Sequence, residues 1–66
     1  MNRMKEMRKE MGLKQKDIAF ITGYSKAAIS LYENKKQKPS MNAAYKIAKA
    51  LNTTMEELFM THDDTN

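Results

Sequence analysis

Three residues, Gly23-Tyr24-Ser25, separate two stretches that otherwise pattern as helix, and this narrow gap constrains the fold more than any other feature of the chain. Gly23 can take a positive φ without a side-chain penalty, so the backbone can reverse tightly there. Helices joined through so short a link must cross steeply, and the residue of the first that faces the second must be small. Ala19, four residues before Gly23, falls at that point, with Ile18, Ile29 and Tyr32 supplying the surrounding apolar contacts.

The rest of the chain also divides into helical stretches. It has two Gly, one Pro and no alternating β-branched run, while Ala, Leu, Met, Lys and Glu are abundant, so an all-α class is expected. A first helix runs from about Asn2 to Met11, with Met4, Met7, Arg8 and Met11 at i, i+3, i+4, i+7 spacing and Gly12 as its stop. Methionines at that spacing read as core filling. The second helix begins at Lys14 or Gln15 and ends at Gly23, turning Ile18, Ala19 and either Ile21 or Thr22 inward. Ser25 caps a third that reaches Asn34 and buries Ala28, Ile29 and Tyr32. After the basic loop Lys35-Lys36-Gln37-Lys38-Pro39, Ser40 caps a fourth helix with Ala44, Ile47, Ala48 and Leu51 on one stripe, stopped at Asn52. Thr54-Met55-Glu56-Glu57 has the form of a capping box and opens a short fifth helix that buries Leu58 and Phe59. One domain over residues 1–60 is expected, followed by a mobile polar tail, 61–66.

A chain of 66 residues buries roughly 60% of the surface its unfolded form exposes, so a second domain for ligand sensing is not expected. There is no Cys for a disulfide, a thiolate metal site or a nucleophile. The longest apolar run, Ile18 to Ile21, is four residues against the roughly 20 a membrane helix needs, and the charged N-terminus lacks a signal-peptide core. A soluble cytoplasmic protein without membrane association is expected. The charge of +4 is uneven: residues 1–38 hold ten Lys/Arg against four Asp/Glu, net +6, whereas residues 39–66 are net −2. A basic half of this kind suits a polyanion such as nucleic acid, and equally a solvated charged surface.

The tight turn, the small residue at the crossing and the capped helix after it form a helix-turn-helix signature over about residues 15–34. Around it the chain resembles the Cro and CI repressor type of helix-turn-helix, the xenobiotic-response-element family. The resemblance spans Met4 to about Phe59 and lies in Gly-Leu after the first helix, Leu-Lys-Gln, Ile-Ala, Gly-Tyr-Ser, Ile-Ser, Tyr-Glu-Asn, Lys-x-Pro-Ser and Ala-Leu-Asn. It implies a compact five-helix bundle like the lambda-repressor DNA-binding domain, with the third helix in the major groove. It further implies a DNA-facing surface of Gln15, Ser25, Lys26, Ala27, Ser30 and Leu31, with Asn34, Lys36 and Lys38 on phosphates. Chemically, Lys26 can donate to guanine or to a phosphate, Ser30 to several base edges, and Ala27 and Leu31 offer apolar contact to a thymine methyl. Gln15 can read adenine or brace the backbone. Lys26 lies in the first helical turn, against the helix dipole, a conflict that an anionic partner would relieve.

Other residues read as structural. Arg8 and Glu33 match family positions that usually pair, so a salt bridge is expected there. Tyr24 and Tyr32 are expected to pack with their hydroxyls outward, and the lone His62 is not expected to be a ligand. Three positions depart from the family pattern. Lys35 stands where many relatives carry Gly, so it is either held at positive φ or the helix ends differently. Lys14 replaces the usual Ser/Thr cap and adds a possible phosphate contact, and Thr22 stands where an apolar residue is usual.

The function expected is a sequence-specific, double-stranded-DNA-binding transcriptional regulator of prokaryotic or phage type, a repressor because occupancy alone represses. A homodimer on a palindrome follows, contacting through Met55, Leu58, Phe59 and Met60, which are more apolar than one short helix hides. The competing possibility is a protein-interaction module on the same scaffold, an antirepressor or antitoxin, which would not need Gln15, Lys36 and Lys38 on phosphates. An enzyme is not expected, since no convergent acid, base and nucleophile set is present. Neither cofactor, metal nor small-molecule effector is expected.

Overall fold

The computed structural model describes residues 2–59. Its elements are α1 (Met4–Glu10), α2 (Gln15–Thr22), α3 (Lys26–Glu33), α4 (Met41–Ala50) and α5 (Met55–Phe59), with no strand among the described residues. The domain is therefore the expected all-α, five-helix arrangement. The expected boundary at residue 60, the tail 61–66 with His62, and Met60 lie outside the described residues.

Each helix starts where a side chain can take an orphan backbone N–H. Ser25 and Ser40 cap α3 and α4 as expected: their Oγ atoms accept from Ala28 N at 3.0 Å and Ala43 N at 3.1 Å. α2 has no side-chain acceptor at Lys14, and Asp17 supplies the other half of the box by accepting from Lys14 N at 2.8 Å. The expected box on α5 is also half formed. Thr54 Oγ1 accepts from Glu57 N at 3.1 Å, but the Glu57 carboxylate accepts from Thr53 Oγ1 at 3.0 Å rather than from the Thr54 backbone. α1 begins two residues later than its apolar spacing suggested. Asn2 is extended, its Oδ1 accepting from Met4 N at 2.9 Å and its Nδ2 donating to the Tyr32 carbonyl at 2.7 Å, while Arg3 N donates to the Leu58 carbonyl at 3.0 Å. The N-terminal segment is thereby tied to α3 and α5.

Helix ends follow one device. Gly12, Gly23, Lys35 and Asn52, each one to two residues past the last turn of α1, α2, α3 and α4, all sit at left-handed φ, +71°, +81°, +60° and +56°. Gly12 turns the chain immediately after α1, which leaves Met11 46% exposed instead of continuing the inward stripe. In α2 the inward residue is Thr22, not Ile21. Thr22 is buried because its hydroxyl donates to the Ile18 carbonyl at 2.7 Å, which satisfies its polar atom inside the helix, and Ile21 is left 55% exposed.

Each helix contributes one large, wholly buried side chain to the core: Met4, Ile18, Ile29, Ile47 and Leu58. Ala19, Ala43, Ala44 and Ala48 are also buried, and their small size lets the helices approach closely around these five. Leu58 thus belongs to the protomer's own core and is not available to a dimer surface, correcting that expectation. Its neighbours Met55 and Phe59 remain half-buried. Shortening Ile47 to Val should lower unfolding free energy by about 0.5–1.5 kcal/mol. Ile21→Ala should change it by less than about 0.5 kcal/mol. Urea denaturation of the two variants checks the inward assignment of Thr22 over Ile21; equal losses would contradict it.

Candidate nucleic-acid interface

The turn at Gly23 brings α3 across α2, with Ala19 buried at the junction and the Gly23 N–H bonded to the Ala19 carbonyl at 2.9 Å. Burial of Ile29, Tyr32 and Glu33 on one side of α3 leaves Lys26, Ala27 and Leu31 exposed on the other, with Ser30 half-buried beside them. Ser25 is exposed, its oxygen accepting the cap bond and its hydroxyl proton free to donate outward. This outward strip therefore carries a cation, two small polar groups and two apolar groups on a fixed helix.

Arg8 and Glu33 hold α3 in place. Arg8 Nε lies 2.6 Å from Glu33 Oε2, Arg8 Nη2 donates to Glu33 Oε1 at 3.2 Å, and Arg8 Nη1 donates to the Leu13 carbonyl at 2.9 Å. The side chains are 11% and 2% exposed, so the expected salt bridge is present and largely desolvated. A planar guanidinium is needed for this fork, since an ammonium offers no comparable pair of parallel donors. Gln15 joins them: its Nε2 donates to Glu33 Oε1 at 3.2 Å. This bond spans 18 residues, and no local pattern announces it. Gln15 consequently braces the pair.

Asn34, expected on a phosphate, is exposed and closes α3 in this structure. Its Nδ2 donates to the Ser30 carbonyl at 2.9 Å and to Ser30 Oγ at 3.3 Å, so the amide nitrogen is spent on finishing α3, and an amide oxygen has no attraction for a phosphate. Lys36 and Lys38, by contrast, are exposed on the loop after α3, alongside Lys35. Lys14 and Lys16 are exposed at the start of α2. Tyr24 packs half-buried against the core beneath Lys46, whose Nζ lies 5.5 Å from the ring centroid, and Tyr32 is buried. Exposed cations thus lie on the loop after α3 and at the start of α2, whereas the acidic Glu56 and Glu57 lie exposed on α5.

Behind the α3–α4 loop runs an apolar groove, bordered by Pro39, Met41, Ala44, Met55 and Phe59. Met41 is 75% exposed in it, a residue whose place directly after the Ser40 cap gave no sign of a surface role. Among the described residues no group of His, Cys, Asp and Glu could hold a metal ion, and no helix is long and apolar enough to cross a membrane.

A family model described as helix-turn-helix matches residues 4–58, which spans all of this architecture. The chain belongs to the Cro/CI-type helix-turn-helix family. It is a family of DNA-binding regulators and not of enzymes. A protein from Archaeoglobus fulgidus named an uncharacterized HTH-type transcriptional regulator is 36% identical over 62 residues, covering 94% of this chain and 89% of the relative. One from Methanocaldococcus jannaschii bearing the same description is 36% identical over 63 residues, 96% of each chain. A third, from Methanothermobacter thermautotrophicus, is 34% identical over 62 residues, 92% of this chain and 90% of the relative.

Replacing Arg8 with Ala strands the Glu33 carboxylate and should cost about 3–5 kcal/mol. Arg8→Lys should recover little of it, because the fork and the bond to Leu13 are both lost. Urea unfolding measures both; a loss under about 1 kcal/mol for Arg8→Ala would mean that the pair does not hold α3.

Proposed function

We propose that this helix-turn-helix protein is a sequence-specific double-stranded-DNA-binding transcriptional repressor that occupies a palindromic operator as a homodimer. The observation that carries this is the outward strip of α3, Lys26, Ala27, Ser30 and Leu31, presented on a helix whose other face is locked by Arg8 and Glu33. Direct readout needs side chains held in register with base edges, and a helix anchored by a buried bidentate pair meets that need. Lys26 and Ser30 then supply donors to base edges, while Ala27 and Leu31 meet thymine methyl groups. Lys36 and Lys38 neutralise phosphates on the flank, and Gln15 donates its second amide proton to the backbone while bracing Glu33. The names of the archaeal relatives, HTH-type transcriptional regulators, agree with a role in transcription.

One such helix reads few base pairs, so two copies reading half-sites about 34 Å apart supply the missing affinity. The groove of Met41, Met55 and Phe59 supports a two-fold contact: it is apolar, lies beside the α3–α4 loop and leaves α3 open. Repression needs nothing more than occupancy.

Selection of bound sequences from random duplex DNA, carried out at two salt concentrations, tests the function directly. A palindrome should be enriched, and the absence of both enrichment and salt-dependent binding would reject a DNA-binding role. Lys26→Ala and Ser30→Ala should change the preferred sequence, whereas Lys36→Ala should weaken binding to every sequence and reduce the salt slope by about 1.8, one contact being lost from each copy of the dimer. For the dimer, Met41→Glu should shift sedimentation equilibrium toward monomer with the far-UV spectrum unchanged; an unaltered association constant would place the contact elsewhere.

A further inference from the structure

Four helices of this protein end on a left-handed residue, and at three of them the chain uses a type that tolerates that conformation: Gly12, Gly23 and Asn52. The exception is Lys35, at φ +60°, which closes α3. Its backbone does the work that glycine does in such caps. Lys35 N donates to the Tyr32 carbonyl at 3.2 Å and Lys36 N to the Leu31 carbonyl at 2.9 Å. None of these bonds uses the lysine side chain, and a Cβ in this region crowds the following carbonyl. A cation near a helix C-terminus recovers part of that penalty through the dipole, yet at an exposed end the recovery is smaller than the penalty. Lys35 is exposed and has no carboxylate within salt-bridge distance among the described residues. It stands next to Lys36 and near Lys38, at the end of the helix proposed to read bases.

We propose that Lys35 is a further DNA-backbone contact, retained at a cost in folding stability because its ammonium neutralises a phosphate beside the site read by α3. The proposal rests on the DNA-binding function above. Lys35 borders the groove of Met41 and Met55 rather than the outward strip of α3, so its contact lies off the bases and carries no sequence preference. Stability and affinity are then opposed at one position. Glycine there relaxes the backbone and removes the charge, glutamine keeps the strain and removes the charge, and arginine keeps both.

The experiment measures thermal unfolding, association state and the salt dependence of duplex binding for the wild-type chain, Lys35→Gly, Lys35→Gln and Lys35→Arg, using the selected operator and a scrambled duplex. Lys35→Gly should raise Tm by about 2–6 °C. Both uncharged variants should bind the two duplexes about 10- to 100-fold more weakly near 0.1 M salt, with a slope shallower by about 1.8 because each copy in the dimer loses one contact, while Lys35→Arg keeps the wild-type slope. A wild-type slope in Lys35→Gln, or a weakened dimer with the slope unmoved, overturns the proposal and leaves the DNA-binding function standing. Absence of salt-dependent binding by the wild-type chain overturns both.

Discussion

Arg8 and Glu33 are 25 residues apart and meet inside the protein, and most of the geometry described above depends on their meeting. Through its three nitrogens Arg8 fastens α1 to α3 and to the link before α2, and through Gln15 the start of α2 joins the same carboxylate. Four parts of the chain thus converge on one desolvated pair. A buried ion pair is not stabilising by default, since an apolar set of the same shape often does as well or better. What the pair provides is direction. Apolar packing tolerates small rotations of a helix, whereas a forked hydrogen-bond pair fixes the rotation and translation of α3 together. The surface that has to be in register is thereby positioned by the interaction least tolerant of misplacement.

The same economy governs the helix ends. Short helices of five to ten residues have a large share of backbone groups without partners, and each end must be finished within two or three residues. Left-handed residues at the ends of α1 to α4 and side-chain acceptors at the starts do this, with Asn34 adding a bond back to Ser30. As a result the loops are short and the helices cannot drift relative to one another.

Much of the fold was legible in the sequence because its signals are local. Ser25, Ser40, Gly12, Gly23 and the apolar spacing of α2, α3 and α4 act through neighbours within a turn or two, and the structure places them as expected. Family resemblance supplied the long-range pair of Arg8 and Glu33, which spacing could not. The differences have mixed causes. Met11 points outward because the neighbouring Gly12 reverses the chain, the choice left open between Ile21 and Thr22 falls to Thr22 because its hydroxyl bonds within the helix, and Leu58 is consumed by a core that all five helices share. At the candidate interface, the outward residues of α3 followed from periodicity. The commitment of Gln15 to Glu33 is a side-chain bond that only the folded arrangement creates, whereas that of Asn34 to Ser30 is local to the end of α3.

A core with one large, wholly buried side chain per helix, all in one cluster, has little redundancy. In larger domains a terminal helix can detach while the remainder keeps a working centre. Here every helix contributes to a single cluster of ten buried residues, so the loss of any one exposes side chains on the others and partial structures have little to hold them together. Unfolding should then be all-or-none, with opening of α5 felt at α3 through Arg3 and Asn2. For a cell this makes the protein a binary component. Proteases would meet either an intact domain or an unprotected chain, and the lifetime of the chain would be set by the same equilibrium that sets its ability to present α3.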